Sequence, residues 1–335
     1  MENAAMNRRE YPAFDIIRFV GTLLVVLIHV IPLLPKNSDI ERWAGFFVQN
    51  YAARIAVPFF FASTGFFFYQ RIDLCNYDSK IAKKYLIRYL RLYGTWMLLL
   101  QFHETYHLWY MPSLAVGVLL LHLLLKRGAS LRTICTLAAI AYVVGLFGDS
   151  WYGLLEPARR VHVFDLCVRY YERLFSITRN GVFMGFPFVA VGAVAAKRGG
   201  GIRRSAALAG FIGSMALMLG EVLLLNRYTA MKDYNMYLFL VPAVFFLLCF
   251  ARSFEIKPAR IYHMLRSVGT IVYFSHLLVL QAVQWGFAAC RARGVDLQSN
   301  LIVILLMLAL PTLLGFAAAR LSRKPKFSLL RYLYS

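Results

Sequence analysis

The first long apolar run of the chain begins Phe14-Asp15-Ile16-Ile17-Arg18 and continues through Thr22 and Leu27-Ile28-His29 to Leu34. It is a run of about 20 mostly apolar residues, the length that crosses a bilayer as an α-helix. Arg18 and His29 are eleven positions apart, which is about 20° beyond three full turns at about 100° per residue. The two side chains are therefore predicted to share one helix face, with His29 about 16 Å further along the axis.

The composition places this helix in a membrane protein. The chain has 335 residues, of which 60% are hydrophobic and 16% are charged, and its mean hydropathy is +0.60. Soluble chains are about half apolar and about a quarter charged, and disordered chains are poor in apolar residues. The net charge of +21 raises the alternative of a nucleic-acid binder. That class is excluded because its Lys and Arg lie on polar faces, whereas here they lie between long apolar runs.

Apolar runs of spanning length, separated by charged residues, Pro and Gly, predict about ten transmembrane helices. We therefore expect an all-α, polytopic bundle in which residues 1–335 form a single transmembrane domain with no separate soluble domain. The first run is too long for the core of a cleavable signal peptide. The predicted spans are 14–34, 44–69, 92–103, 109–125, 133–147, 179–196, 205–225, 236–251, 268–290 and 299–319.

The distribution of basic residues predicts the orientation of the bundle. The two termini and alternate connections between spans carry 24 of the 37 Lys and Arg residues. Such an excess marks the cytoplasmic side, so both termini are expected in the cytoplasm, which requires an even number of spans. The net charge is then mainly a signal of topology, and attraction to anionic lipids is a further consequence.

The polar face of the first span is the leading candidate site. An ionisable side chain at mid-bilayer costs at least about 2.5–3.5 kcal/mol, so it indicates a function by default. Thr22 lies on the face of Arg18, and Asp15 is expected to pair with the Arg18 guanidinium near the cytoplasmic end. This face offers a fixed cation near the cytosol and a neutral base at His29 farther out. The alternative is that His29 is only a packed, hydrogen-bonded side chain.

The second and third spans carry further candidates. Pro58 and Gly65 predict a kinked helix that lines a cavity, with Arg54 facing inward, although an ordinary packing kink gives the same pattern. Arg88 and Arg91, one helical turn apart at the mouth of the third span, form a fork suited to phosphate. The alternative is that they are only the flanking basic residues that the topology requires.

The turn between the third and fourth spans concentrates polar and aromatic side chains. Its string His103-Glu104-Thr105-Tyr106-His107 has the spacing of a zinc protease motif. We discount this motif because it lies in a short turn without an evident third ligand, and we expect no metal. Contacts to an acceptor molecule, or anchoring at the interface, fit this turn better. The remaining candidates are Trp109 and Tyr110 in this turn, His276 in the ninth span, and Glu221, an acid without an evident partner.

The longest connection on the non-cytoplasmic side, about 148–178, mixes charged and aromatic residues. Aromatic rings for stacking and charges for hydroxyl groups are typical of a site for a saccharide or another polar ligand. An amphipathic helix lying at the membrane interface is the equal alternative. The five cysteines include no close pair, so neither a disulfide framework nor a zinc knuckle is predicted.

Over about 10–320, these residues resemble the membrane acyltransferases called acyltransferase 3. The resemblance rests on Arg18 and His29 separated by ten residues, on Arg88 and Arg91, and on the aromatic segment Phe60 to Phe66. In that segment Thr64 stands where the family usually has Ser before Gly65. The segments HLWYMPSLAVG, which contains Trp109, and SVGTIVYFSH, which contains His276, are also similar to the family.

The resemblance implies transfer of an acyl group, usually acetyl from cytosolic acetyl-coenzyme A, to a hydroxyl of a cell-surface glycan or related acceptor. It implies His29 and Arg18 as catalytic residues, with His29 as general base, and Arg88, Arg91 and Arg18 as contacts of the acyl donor. Ser63 or Thr64 is a candidate oxyanion donor. Residues expected to line the cavity or contact substrate are Asp15, Ser63, Thr64, Gly65, Trp109, Tyr110 and His276.

Two alternatives to a working acyltransferase remain open at this point. Some relatives in the group resemble amino-acid carriers fused to a racemase, so a transporter of a small polar solute is the second function, and an inactive scaffold is the third. Direct transfer and transfer through a covalent intermediate are both open. The expected partners are membrane lipids, acyl-coenzyme A and a hydroxyl-bearing acceptor, with no nucleic acid, in the bacterial cytoplasmic membrane.

Overall fold

The computed structural model of the chain describes residues 10–101, 105–175, 177–295 and 299–335. Within these ranges the chain forms α-helices, short helical turns and connections, and it contains no β-strand. The prediction of an all-α fold is therefore confirmed. The α-helices in chain order are α1 (Pro12–Val30), α2 (Asp39–Asn50), α3 (Ala56–Leu74), α4 (Ser79–Leu99), α5 (Tyr110–Lys126), α6 (Leu131–Leu146), α7 (His162–Leu174), α8 (Phe186–Arg198), α9 (Arg204–Tyr228), α10 (Leu240–Arg252), α11 (Arg260–Ala292) and α12 (Asn300–Leu321).

Most of these helices suit a bilayer. Seven helical segments of the described chain are long and apolar enough to cross it: Pro12–Leu33, Asp39–Leu74, Thr105–Lys126, Gly181–Gly201, Arg204–Tyr228, Arg260–Ala292 and Asn300–Leu321. Two shorter apolar helices, α6 and α10, and α4 with its basic N-terminal half, occupy the three other predicted spans. The chain is a multi-pass helical membrane protein, while the count of ten spans and the cytoplasmic termini stay predictions.

The second predicted span is built differently from the expected kinked helix over 44–69. The helix α2 ends at Asn50, a 3-10 turn covers Ala52–Ile55, and α3 begins at Ala56. Pro58 lies in the first turn of α3, where the lack of a backbone N–H leaves no hydrogen bond unmade. The expected interior kink at Pro58 is therefore wrong: the break comes earlier, between α2 and α3.

The tightest contact between helices joins α3 to α8, and glycine makes it possible. A Cβ atom added to Gly65 would fall on the backbone carbonyl of Val189, and one added to Gly192 would fall on the carbonyl oxygen of Ala62. Small residues at such crossings let helix backbones approach closely in membranes, where packing replaces the hydrophobic effect as the driving force. Gly65 is therefore a packing residue, which corrects its expected place in a substrate cavity.

The helix α1 lies inside the bundle, against α3 on one side and α11 on another. On α1, Phe14, Val26 and Val30 are fully buried, and Gly269 of α11 lies close to Thr22. By contrast, α9 and α12 expose many large apolar side chains, as expected of helices that face lipid. The polar face of α1 thus points into protein, where partners for its ionisable residues are available.

The close approach of α3 and α8 predicts that Gly192→Ala destabilises the protein by roughly 2 kcal/mol or more, because the added methyl group meets backbone that cannot move aside. Gly213→Ala in α9 is the matched control, because a Cβ there meets nothing within 4 Å. Thermal unfolding in detergent should show a lower midpoint for the first variant and an unchanged or slightly higher midpoint for the second. Equal midpoints for the two variants would contradict this packing account.

Candidate active site

Two cavities lie along the polar face of α1. The first, here called the arginine cavity, has a volume of about 240 Å³ and is lined by residues of α1, α3, α4, α5 and α11, including Arg18, Arg88 and Arg266. The second, the histidine pocket, has a volume of about 60 Å³ and is lined by residues that include His29, His107 and Trp109. Positions 18 and 22 of α1 line the first, and positions 25 and 29 line the second. The polar face predicted from sequence therefore borders both cavities.

Arg18 is held by α3 and not by its own helix. Its Nε donates a hydrogen bond of 2.8 Å to the hydroxyl oxygen of Ser63, and its guanidinium lies 5.4 Å from the ring centre of Phe67. Ser63 also donates to the carbonyl of Phe60. The one O–H donor of Ser63 is used by the Phe60 carbonyl, so Ser63 positions Arg18 and has no proton left to donate to a reacting oxygen. Thr64 is the member of the pair that reaches the arginine cavity.

Asp15 pairs with Arg266 of α11, so the expected pair of Asp15 with Arg18 is wrong. Both carboxylate oxygens of Asp15 accept hydrogen bonds of 2.8 Å from the Arg266 guanidinium. A carboxylate and a guanidinium can form two parallel hydrogen bonds, and this geometry favours the pair of Asp15 with Arg266 over a single contact with Arg18 on the same helix. Arg266 lines the arginine cavity, whereas Asp15 lies behind it. Asp15 thus positions Arg266, a basic residue that the positive-inside rule alone treats as a signal of topology.

Arg88 and Arg91 do not act as one fork in the structure. Arg88 lines the arginine cavity and also donates to the carbonyl of Tyr334 at 3.4 Å. Arg91 does not line the cavity: it donates to the carbonyl oxygen of Ser335 at 2.6 Å and lies over the ring of Tyr332. The cations on the cavity wall are Arg18, Arg88 and Arg266, and Arg91 is directed toward residues near position 335.

The histidine pocket contains His29 in a defined orientation. The Nδ1 atom of His29 lies 2.9 Å from the carbonyl oxygen of Val25 and 3.2 Å from Nε2 of His276. A carbonyl oxygen only accepts, so we assign the ring proton of neutral His29 to Nδ1. His276 is held in the same way, with its Nδ1 at 2.7 Å from the carbonyl of Tyr273. The Nε2 atom of His29 then carries the free lone pair, as a general base requires.

An aromatic layer separates the two cavities. Tyr110 lies 6.0 Å from Phe60 and 5.6 Å from Tyr273, measured between ring centres, and the distance between Phe60 and Tyr273 is 6.3 Å. All three rings line the arginine cavity, and Tyr273 also lines the histidine pocket. The Tyr273 hydroxyl donates to the backbone carbonyl of His107 at 2.8 Å. Tyr273 is therefore the side chain through which the two cavities meet.

The other predicted site residues take separate positions. Tyr110 lines the arginine cavity and Trp109 lines the histidine pocket. His276 is fully buried behind His29 and lines neither cavity. His103 and Glu104 of the discounted metal motif lie outside the described residues. His107 is buried, with Nε2 at 3.3 Å from the carbonyl of Phe274, and the expectation of no metal stays a prediction.

Loops at the end of the bundle that contains the histidine pocket are held by two acids. Asp149 accepts hydrogen bonds from the backbone N–H groups of Asn235 and Met236 at 2.8 and 3.0 Å, and Arg54 donates to the Asn235 side chain at 2.6 Å. Glu221, which had no evident partner in the sequence, accepts from Trp151 and from two backbone N–H groups at the start of α10. Arg54 was predicted to face inward, and in the structure it lines the histidine pocket.

The structure of the segment 148–178 favours a helix at the membrane interface over a ligand site. Its charged groups pair among themselves, since Arg159 contacts both Asp165 and Glu172 and Arg169 contacts Asp165. Within this segment α7 exposes a row of large apolar side chains: Val163, Phe164, Leu166, Tyr170 and Leu174. A helix with paired charges and an exposed apolar face suits the boundary between lipid and water.

One region of the chain matches a known family model. Residues 11–103 match the family model described as the acyltransferase domain, which confirms the prediction of the acyltransferase 3 family. This region includes α1, α3 and α4, and with them Arg18, His29 and Arg88. No solved structure matches the chain significantly.

Three curated relatives are similar over most of this chain. The serine/alanine racemase of Enterococcus gallinarum is 29% identical over 92% of this chain and 46% of its own length. Two amino-acid racemases of Enterococcus faecalis are 29% and 30% identical over 71% and 80% of this chain, and 35% and 41% of their own lengths. The chain thus spans less than half the length of the curated relatives it matches.

Burial raises the pKa of Asp149, which lies beyond the end of α6, to about 7, and the charge of Asp233 adds to the shift. The ordinary value is about 3.9. Between these pH values the unfolded chain has lost the proton that the folded chain keeps, so stability falls as pH rises from about 4 to about 7. Asp149→Asn should remove this pH-dependent contribution, because an amide does not titrate. The amide oxygen can still accept the hydrogen bonds from Asn235 and Met236.

The check is the melting temperature of both proteins in detergent from pH 4.5 to pH 8. The difference, wild type minus Asp149→Asn, should decrease as pH rises to about 7 and then level off. A difference that is constant or grows over this range would show that Asp149 is ionised in the folded protein throughout.

Proposed function

We propose that the protein is an integral membrane O-acyltransferase that moves an acyl group, acetyl in the first instance, from cytosolic acyl-coenzyme A to an acceptor hydroxyl. The acceptor is a cell-surface glycan or a related hydroxyl-bearing molecule that arrives at the opposite face of the bacterial cytoplasmic membrane. The acyl donor is a co-substrate. The match to the acyltransferase family specifies neither the acyl donor nor the acceptor, so both are part of this proposal.

The observation that carries the proposal is the geometry of His29. Its Nδ1 is held by the Val25 carbonyl and lies beside His276, which leaves Nε2 with the free lone pair, and the ring lines a pocket. A histidine with one nitrogen fixed by hydrogen bonding and the other available is arranged to take a proton. Arg18, eleven residues earlier on the same helix, lines the adjoining cavity.

The arginine cavity suits the acyl donor. Coenzyme A carries several phosphate groups, and Arg18, Arg88 and Arg266 provide three guanidinium groups on the cavity wall. This is the N-terminal end of α1, which the positive-inside rule predicts to be cytoplasmic. The donor then enters where its phosphates meet cations, and its acyl end extends toward Tyr110 and Tyr273.

The simplest balanced route is direct transfer. The acceptor hydroxyl oxygen attacks the thioester carbonyl carbon while its proton passes to Nε2 of His29, and the carbon–sulfur bond then breaks. The thiolate of coenzyme A leaves and takes the proton from His29, so the enzyme returns to its starting state. In this route His276 is a positioning residue, because it contacts His29 and lines neither cavity.

His29→Ala tests the proposed base. Loss of the base should slow acetyl transfer by about 10²–10⁴-fold at unchanged protein level, because proton removal by a positioned side chain contributes that much. Transfer can be followed with labelled acetyl-coenzyme A in membrane vesicles, together with mass spectrometry of surface glycans for a difference of about 42 mass units, the mass of an acetyl group. His122→Ala is the control, since His122 lies near Ser79 and away from both cavities. Transfer at the wild-type rate by His29→Ala would remove His29 from the mechanism.

Arg88 and Arg91, both in the middle of α4, should differ in effect. Arg88→Ala should weaken binding of coenzyme A by about tenfold or more, because one charge-assisted contact to phosphate is lost. Arg91→Ala should weaken it less, since Arg91 points to Ser335 and not into the cavity. Equilibrium binding at physiological salt compares them directly. Equal losses for both variants would favour the simple fork predicted from sequence.

The second candidate is a transporter of a small polar solute such as an amino acid. The curated relatives are named amino-acid and serine/alanine racemases, which makes amino acids the solutes to test. Two cavities that meet at one side chain, Tyr273, also suit passage of a solute. Uptake of labelled serine or alanine into vesicles without consumption of acetyl-coenzyme A would select this function over the acyltransferase.

A further inference from the structure

Two arginines face the histidine pocket, and among the described residues the nearest carboxylate to either guanidinium is that of Asp233, at 3.9 Å from Arg179. Arg54 and Arg179 both line the pocket beside His29. Arg54 donates to the Gln49 carbonyl at 2.6 Å, to the Asn235 side chain at 2.6 Å and to the Asn50 side chain at 3.4 Å. All three acceptors are neutral. Within the described residues, no carboxylate lies within 4.0 Å of the Arg54 guanidinium.

The Arg179 guanidinium makes fewer contacts than that of Arg54. In the described part of the chain its guanidinium makes one ion pair, with the Asp233 carboxylate at the long distance of 3.9 Å, and lies 5.7 Å from the Trp109 ring centre. The other nearby acid, Asp149, is directed at the backbone N–H groups of Asn235 and Met236. The pocket therefore presents two positive charges that the nearby acids leave largely uncompensated.

Unpaired charge of this kind indicates a ligand. A buried or half-buried charge is normally paired, because removing it from water is costly. A guanidinium has five N–H donors, and within the described residues the hydrogen bonds of Arg54 occupy three of them. The planar donor fork of arginine matches a carboxylate better than it matches a neutral hydroxyl or amide.

We propose that Arg54 and Arg179 form a carboxylate subsite of the histidine pocket, which binds a hydroxyl-bearing acid with its hydroxyl directed to Nε2 of His29. The catalytic meaning of this subsite rests on the proposed function of His29. The pocket volume of about 60 Å³ admits a small hydroxy acid or the acidic end of a longer molecule. A neutral sugar hydroxyl alone would leave Arg54 with only neutral acceptors and Arg179 with only the distant Asp233 carboxylate among the described residues.

The test compares acids with their amides, which differ only in the charged group. Full-length protein in lipid nanodiscs is titrated by calorimetry with D-glucuronate against D-glucuronamide and with L-serine against L-serinamide. At least one acid should bind about tenfold or more tightly than its amide, the effect of a charge-assisted hydrogen bond in a site shielded from water. This preference should weaken as salt concentration rises, because added ions screen the attraction.

The variants assign the preference to the pocket. Arg179 is a half-exposed side chain in a loop. Arg179→Gln should reduce the preference for the acid over its amide to within about twofold, and Arg179→Lys should restore part of this preference. Arg227→Gln is the matched control, since Arg227 is exposed and contacts the ring of Tyr228 outside the pocket. Size-exclusion chromatography checks that each variant is folded, and Arg54→Lys provides a second change at the subsite that keeps the charge but loses the fork.

The outcomes separate the subsite from the reaction. Absence of preference for the acid in both pairs, including absence of binding, overturns the subsite, and so does a preference that survives in Arg179→Gln. Labelled acetyl transfer is measured on the same samples. Acid preference without acetyl transfer supports the subsite and rejects the acyltransferase, whereas equal transfer to acid and amide supports the acyltransferase and rejects the subsite.

Discussion

The arrangement of this protein depends on one constraint: ionisable side chains on a spanning helix need partners from neighbouring helices, because lipid offers none. The helix α1 carries Asp15, Arg18 and His29, and each has a partner on another helix. Asp15 binds Arg266 of α11, Arg18 binds Ser63 of α3, and His29 lies beside His276 of α11. These contacts fix α1 between α3 and α11, and the two cavities form along the same polar face. The chemistry and the packing thus follow from the same three side chains.

The position of α3 follows in turn from its glycine contact with α8. At Gly65 and Gly192 the two backbones approach more closely than any larger residue permits. This crossing fixes the face of α3 that carries Ser63 and Thr64, and so it fixes Arg18. On the other side, Tyr273 of α11 lines both cavities and bonds to the backbone of His107. The separation between the two cavities therefore depends on helix packing and on the contact of Tyr273 with the turn that contains His107.

Much of the site was predictable because the signals were local. The helical period placed Arg18, Thr22 and His29 on one face. The expected position of Arg88 at a helix mouth is wrong, because α4 begins at Ser79 and Arg88 lies in its middle. The sequence missed Arg266, because a basic residue in a cytoplasmic connection is what topology requires and nothing local marks it as Asp15's partner. It also grouped Arg88 with Arg91, although only Arg88 reaches the cavity. Predicted contacts within one helix failed where a partner on another helix had better geometry.

Hydropathy, helical period and motif spacing are properties of neighbouring residues, so the amino-acid sequence alone predicts an all-helical, multi-pass membrane protein with an acyltransferase 3 match over residues 11–103. The folded structure was needed to show that Asp15 pairs with Arg266, that Ser63 supports Arg18, and that Arg54 and Arg179 share a pocket with His29. Each of these contacts joins residues far apart in the chain. Such pairings depend on which helices pack together, and no local pattern encodes that.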